Sequence, residues 1–227
     1  MLQTISHEHI NEQIYKLLLS KIVSQEFAPG QRLRVDEVAA RLGVSRTPVK
    51  DAVNRLAADG LVVVMPRKGT FVADITPEGI HELFDVRLMM ELHAAESAIP
   101  RATGEDIAEL ERLFSSMDRF RNDDGYTDYE SFLELDTLFH MKLFELAGNA
   151  MLTRLYRGIN LHVQVVRAYQ KAPGAAGEAT QTQDEHRAIV AAFKNKNSGA
   201  LQHALTEHIQ KREQQFIRAL QAKRNTA

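Results

Sequence analysis

Apolar residues recur along residues 45–60 with the spacing of an α-helix, so they form one apolar stripe. The opposite stripe of this predicted helix carries Arg46, Lys50 and Asn54. A helix that buries one face and presents two cations and an amide on the other has the side chains that read base edges in the major groove of DNA. The pattern therefore predicts a DNA-recognition helix. The apolar positions of this stripe are Val49, Ala52, Val53 and Leu56.

Two helical patterns precede the recognition helix, and a strand pattern follows it. Residues 7–26 and 36–42 have helical spacing, and Gly43 stands where a left-handed helix cap is usual. After Gly60, two short runs rich in β-branched and aromatic residues flank the turn Pro66-Arg67-Lys68-Gly69. Three helices and a hairpin make a winged helix-turn-helix, which we assign to residues 1–75.

The turn of the predicted hairpin would reach the groove beside the recognition helix. Lys68 at its tip suits a DNA phosphate, and Gly69 permits close approach of the backbone.

The remaining residues, 76–227, show helical periodicity and no strand pattern. Six helices of this length predict an antiparallel bundle, so the chain is expected to be mainly α. Residues 172–179, rich in Ala and Gly, are the segment expected to be disordered. The predicted helices are 77–99, 104–122, 128–147, 150–171, 180–196 and 199–223.

Composition restricts the classes of function. The 227 residues include no cysteine, which excludes disulfides and thiolate metal ligands. No apolar run is long enough to cross a membrane and no signal peptide is evident, so we expect a cytoplasmic protein without a membrane partner. The net charge is −2, but six basic residues against two acidic ones lie between Arg41 and Lys68. Contacts with phosphates are therefore expected in the N-terminal part.

The predicted bundle places polar groups on its apolar stripes. Asp136 and His140 are one helical turn apart, and His186 and His208 are each in phase with apolar residues of their own helices. Burying such groups without partners costs several kcal/mol. The sequence therefore favours two arrangements, in which these four groups either hydrogen-bond to one another or share a metal ion.

Arg87 and Glu91 lie one turn apart on the first predicted bundle helix. The simpler interpretation is an ion pair at the edge of the helix. The alternative is that Arg87 supplies its planar fork to a bound carboxylate. His93 and His162 are interpreted as ordinary solvated or core histidines.

The run Leu42-Gly43-Val44-Ser45-Arg46-Thr47-Pro48-Val49, with Gly60-Leu61-Val62 and the turn containing Gly69, resembles the DNA-binding domain of GntR-family transcription regulators. Two positions depart from the family pattern. Lys50 replaces a common arginine and lacks the fork that reads guanine, and Val35 replaces a helix-capping hydroxyl. The resemblance implies DNA contacts by Arg34, Arg46, Thr47, Lys50, Lys68 and Gly69.

The six-helix region resembles the FCD effector domain of the FadR-like branch of that family, in its smaller VanR-like subgroup. The resemblance rests on Leu-Asp-Thr-Leu-Phe-His and Asp-Glu-His-Arg, with a further histidine on the last helix. It implies that Asp136, His140, His186 and His208 bind a divalent metal, for which this ligand set suits zinc or nickel. It also implies that Arg87 faces the effector cavity.

The sequence thus predicts a homodimeric transcription regulator, acting as a repressor on double-stranded operator DNA and sensing a small organic acid at a metal site. Two alternatives belong to other classes. One is a metal-dependent hydrolase or lyase built on the helical domain, for which no evident general base is found. The other is a DNA-binding dimer whose bundle contains no metal.

Overall fold

The computed structural model describes residues 7–122, 125–170 and 176–226. These residues are mainly helical and fall into two compact units. One unit contains the chain up to Thr76 together with Gln164–Tyr169, and the other contains the rest. None of the helices in the described part of the chain is both long and apolar enough to cross a membrane.

Besides the segment Gln164–Tyr169, the described residues of the N-terminal unit form three helices and a small antiparallel sheet. The strand order is β1-β3-β2, and Val62 pairs with Val72 while Met65 pairs with Gly69 across the hairpin. The predicted hairpin is therefore present, but the sequence did not predict β1, which adds a third strand by pairing with β3. The elements are α1 (His7–Val23), β1 (Arg32–Leu33), α2 (Val35–Leu42), α3 (Arg46–Ala58), β2 (Val62–Met65) and β3 (Gly69–Val72).

The core of this unit forms where α3 packs on α1 and on the sheet. All four apolar positions predicted for the recognition helix are buried. Gly43 caps α2 in the left-handed conformation, with φ of 65°, as predicted. On α1, Ile10 and Leu17 are exposed, although both are apolar and fit the helical spacing of residues 7–26. Ile14, Leu18 and Ile22 follow one another at every fourth position and complete the buried stripe without them.

The second unit contains the six predicted helices. Most of their bounds agree with the sequence to within a few residues, but α5 ends four residues early because the chain turns into a short hairpin. This hairpin, β4 (Arg121–Asn122) with β5 (Gly125–Tyr126), corrects the expectation of no strands after residue 76. The helices are α4 (Pro77–Ala98), α5 (Gly104–Asp118), α6 (Tyr129–Ala147), α7 (Ala150–Gln170), α8 (Ala176–Lys194) and α9 (Ser198–Thr226).

Local signals fix several ends of these helices. Thr103 and Asp106 form a reciprocal capping box at the start of α5, and Gly148 ends α6 with φ of 68°. The segment 172–179, expected to be disordered, is only partly described. Residues 172–175 lie outside the described residues, and 176–179 form the first turn of α8, so the expectation is wrong for them.

A continuous apolar core joins the helices of this unit. It is built from aromatic and aliphatic side chains such as Phe139, Phe144 and Phe193, all at most 1% exposed. Alanines on α4 allow its neighbours to approach closely, since Ala94, Ala95 and Ala98 are fully buried. Within this core, α4, α6, α8 and α9 each bring a polar side chain to one place.

Candidate metal centre and DNA-binding surface

Three helices of the second unit place one carboxylate and three imidazoles together. Asp136 and His140 come from α6, His186 from α8 and His208 from α9. All four are buried, none being more than 2% exposed. One potential ligand atom from each lies within 4.8 Å of the others. The structure therefore brings together all four residues that the sequence had proposed as a set.

The nitrogens that face this cluster lack hydrogen bonds. Nε2 of His140, Nε2 of His208 and both ring nitrogens of His186 have no hydrogen-bond partner among the described residues. Nε2 of His186 also lies 3.0 Å from Oδ1 of Asp136, where the carboxylate attracts the ring electrostatically. Buried nitrogens that converge without pairing are a costly arrangement unless they share a further atom. A metal ion at their centre would fit this arrangement.

Two carboxylates contact the outward-facing nitrogens of these rings. Glu91 Oε2 lies 2.7 Å from Nδ1 of His140, and Glu185 Oε2 lies 2.9 Å from Nδ1 of His208. A carboxylate in this position orients the ring of a metal ligand and fixes its tautomer. The sequence pattern did not indicate a role for Glu185, and it indicated Glu91 only as a partner of Arg87.

Burial controls the charges around the cluster. It lowers the pKa of His186 and lowers that of His208 well below its usual value, so both rings remain neutral and able to ligate. Burial also raises the pKa of Glu185 to about 7. For Glu91 burial acts in the same direction, but interactions with His140 and Arg87 outweigh it and bring the pKa to about 2. The neutral imidazoles of His186 and His208 suit a borderline divalent cation.

Arg87 is in the interior of the unit, with 1% of its surface exposed. Its Nε donates to Oε1 of Glu91 at 2.7 Å, so the ion pair considered from the sequence exists, but it is buried and not at a helix edge. Nη1 of Arg87 is buried and has no hydrogen-bond partner among the described residues. A guanidinium that donates one hydrogen bond through Nε and has a buried Nη1 without a partner is able to bind a carboxylate.

Gln183 is a further buried polar residue, not among the site residues predicted from the sequence. It lies on α8 one turn before His186, on the same buried face, and is 1% exposed. Neither its amide oxygen nor its amide nitrogen has a hydrogen-bond partner within the described ranges. Gln183 is three residues before His186, and this helical spacing is the sequence signal that could have predicted its position on the same buried face. Of the other histidines, His93 is exposed and His162 is half-buried.

The exposed face of α3 carries the residues proposed for DNA. Arg46, Thr47, Lys50 and Asn54 are all exposed, opposite the buried apolar stripe. Lys68 is exposed in the turn between β2 and β3. Gly69 has φ of 120°, and a Cβ there would lie 2.9 Å from Nε of Arg32. The glycine is therefore required by its backbone conformation, whereas the flexible side chain of Arg32 could move away from a Cβ.

Two acidic residues of α2 pair with the proposed DNA contacts. Nε of Arg46 lies 2.5 Å from Oδ1 of Asp36, and Nη1 of Arg34 lies 2.8 Å from Oε1 of Glu37. All four side chains are more than half exposed. Exposed ion pairs of this kind contribute about 0–1 kcal/mol, so a phosphate or base can replace the carboxylate at small cost. The arginines are thus oriented but remain available.

These features define a DNA-binding regulator with a separate helical unit that carries a polar, buried cluster. Residues 10–72 match the family model "Bacterial regulatory proteins, gntR family", and residues 82–211 match the model "FCD domain". The chain belongs to the GntR family of transcription regulators, with an FCD domain, and is not an enzyme. The family resemblance inferred from the sequence is confirmed.

Known regulators show the same organisation. The chain is 33% identical over 145 residues to the Nta operon transcriptional regulator of Aminobacter aminovorans, covering 64% of this chain and 67% of that protein. It is 29% identical over 205 residues to the transcriptional repressor RspR of Escherichia coli, covering 88% and 86%. The solved structure of Escherichia coli McbR/YncC has the same fold, with a TM-score of 0.75 at 22% identity over 96% of this chain and 99% of that one.

Proposed function

We propose that this regulator is a repressor that responds to a small carboxylate metabolite bound at a divalent metal ion. The observation that carries the proposal is the combination of two buried features in one helical unit. Asp136, His140, His186 and His208 converge with unpaired imidazole nitrogens, and Arg87 has a buried donor without a partner. The DNA-binding domain would be residues 1–75 and the effector domain residues 76–227.

The four residues supply three nitrogens and one carboxylate oxygen to the ion. This set suits zinc or nickel better than calcium or magnesium, which prefer oxygen. When bound, the ion would provide coordination positions for oxygens of a small molecule. The protein itself supplies orientation, because Glu91 and Glu185 hold the outer nitrogens of two rings.

Arg87 supports an acidic effector over a neutral one. Its charge is compensated by Glu91 through Nε alone, so a ligand carboxylate would complete the donor set of the guanidinium. Gln183 offers an unpaired amide one turn from His186. A ligand that bears a hydroxyl, carbonyl or amino group beside its carboxylate would satisfy this amide as well.

We infer that the regulator is a homodimer that acts on operator DNA in the cytoplasm. One winged helix spans only a few base pairs, so useful specificity needs two copies on a pseudo-palindromic site. A second copy would also cover apolar surface, because four large apolar side chains of the helical unit are more than half exposed. They are Met89, Leu138, Met151 and Leu155.

The effector would act by shifting the arrangement of the two DNA-binding domains of the dimer. Such a shift requires that the ligand bind the two arrangements with different affinities.

Arg46→Ala tests the DNA-binding surface. We expect it to abolish binding to the operator, measured by electrophoretic mobility shift with DNA upstream of the chain's own gene. Arg157→Ala is the control, because Arg157 is an exposed arginine of α7, outside the proposed DNA-binding domain. Equal binding by wild type and Arg46→Ala would remove α3 as the recognition helix.

The metal is tested on protein purified without chelator and without a histidine tag. Stoichiometric zinc or nickel supports the site, and a fully folded dimer that binds operator and no divalent ion under any loading condition contradicts it.

A further inference from the structure

We infer that Glu91 is a positioning residue that links the metal site to the anion-binding arginine. This inference rests on the proposed function, since it concerns the same cluster. Glu91 is 0% exposed, and both of its oxygens are used. Oε1 accepts from Nε of Arg87 and from the hydroxyl of Tyr156, each at 2.7 Å, while Oε2 contacts Nδ1 of His140 at 2.7 Å.

The contact with His140 determines which nitrogen of the ring is available to a metal. Glu91 forms an ion pair with the permanently charged guanidinium of Arg87, and an ionised carboxylate can only accept hydrogen bonds. In the neutral ring of His140, the proton is therefore on Nδ1 and the lone pair is on Nε2. This is the nitrogen that lies in the cluster, 3.8 Å from Oδ1 of Asp136. Glu91 thus fixes the tautomer that can ligate.

The contact with Arg87 fixes the second half of the site at the same time. Nε is held on Oε1, which orients the plane of the guanidinium and leaves Nη1 without a partner. Glu185 provides the contrast. Its Oε2 also contacts a cluster histidine, but its Oε1 lies 3.8 Å from the surface residue Lys211. Of these two carboxylates, only Glu91 joins a ring of the cluster to Arg87.

A carboxylate can perform both roles and an amide cannot. If Gln replaced Glu91 with its oxygen toward Arg87 and Tyr156, its NH2 group would face the Nδ1–H of His140. The ring would have to move its proton to Nε2, and the ligating lone pair would be lost. If the amide turned over, its NH2 group would face Nε–H of Arg87 instead. The first orientation keeps the acceptor for both Arg87 and Tyr156, whereas the second keeps it for His140 alone. Glu91→Gln should therefore adopt the first orientation and disturb the metal ligand.

The test uses zinc alone as the probe and Tyr156→Phe as the matched variant. Tyr156→Phe removes one hydrogen bond from Glu91, retains the ring that stacks on Phe144 at 3.8 Å, and leaves the contact with His140 intact. Zinc affinity is measured by competition with a chromophoric chelator. We expect Glu91→Gln to weaken zinc binding by about 10- to 100-fold, the range found for outer ligand partners, and Tyr156→Phe to remain close to wild type.

A purely structural role for Glu91 gives a different result. It lowers the thermal stability of both variants and leaves the zinc affinity of both unchanged, which would overturn the inference. Histidine ring NMR of metal-free, 15N-labelled wild type provides a measurement that needs no variant. His140, assigned by its loss in His140→Gln, should be protonated on Nδ1, and protonation on Nε2 would equally overturn the inference.

Different measurements test the proposed function. If wild type bound no zinc, or if no acid changed its affinity for the operator, the regulatory proposal would fail. The tautomer of His140 in the metal-free protein is independent of both results.

Discussion

Replacement of His208 by Ala measures the contribution of the cluster to stability. His208 is one of four convergent groups, is 0% exposed, and contacts Glu185 through the nitrogen that faces away from the cluster. A ligand that binds only the folded state at about 1,000 times its Kd stabilises that state by about 4.1 kcal/mol. Zinc at that concentration should therefore raise the free energy of unfolding of wild type by this amount.

Removing a residue that binds the metal directly should weaken zinc binding more than removing a residue that only contacts a ligand. The second kind of change weakens metal binding by about 10- to 100-fold. At the same zinc concentration, a hundredfold weaker site retains about 1.4 kcal/mol of the stabilisation. For a chain of this size, 1 kcal/mol corresponds to about 2–4 °C in Tm. The zinc-induced rise in Tm should fall from about 8–16 °C in wild type to less than about 6 °C in His208→Ala.

The assay is thermal unfolding by circular dichroism, with chelator and with zinc, for each variant. Comparing each protein with and without zinc removes the cost of the cavity that the substitution leaves. His203→Ala is the control, because His203 is an exposed histidine on the same helix. If His208→Ala retained the full rise caused by zinc, or if His203→Ala lost it equally, the four-residue site would be refuted.

Three further predictions concern the same unit. Arg87→Ala should abolish the effect of acids on operator affinity while leaving effector-free DNA binding unchanged in a mobility-shift titration; loss of both would indicate a structural ion pair. Gln183→Leu should leave the metal-free protein as stable as wild type or stabilise it, because the buried amide has no partner to lose, whereas Gln215→Leu should cost about 1.5–3 kcal/mol in urea unfolding by removing the acceptor of Arg212. Destabilisation of equal size in both would show that Gln183 has a partner within the protein. The metal-free protein should lose stability as the pH falls below about 6.5, because burial lowers the pKa of His186 and of His208 and the unfolded chain takes up those protons first. The raised pKa of Glu185, about 7, gives stability that is complete below about 4.5 and lost as the pH rises toward 7. It therefore offsets one of the two histidines, and the net loss of stability in acid should be measurable by urea unfolding. A stability that rose from pH 6.5 to 5.5 would contradict this balance of charges.

The sequence by itself determined the elements of the fold and the identity of the cluster. Helical periodicity is a local property, so the buried stripe of α3 and the six helices of the second unit could be predicted from spacing alone. The same periodicity put His140, His186 and His208 on buried faces. It could not determine whether these faces meet, because that depends on how three helices pack.

Sequence patterns could not predict the short strands. The two-residue strands β1, β4 and β5 contain too few positions to show alternation, and each exists because a distant or adjacent segment supplies its hydrogen bonds. The exposure of Ile10 and Leu17 could not be predicted for a different reason. Their spacing is helical, but the buried stripe of α1 is complete without them.

Only the tertiary structure decided how the polar groups are connected. In the sequence, Glu91 is 49 residues from His140 and 65 residues from Tyr156, whereas in the fold one carboxylate contacts both. The ion pair of Arg87 with Glu91 was visible as a one-turn spacing, but its complete burial was not. Burial is what makes an unpaired nitrogen or guanidinium costly, and burial arises from the packing of all neighbouring helices. Residue types and spacing thus indicated which groups take part, and packing determined which of their atoms remain for a metal and an acid.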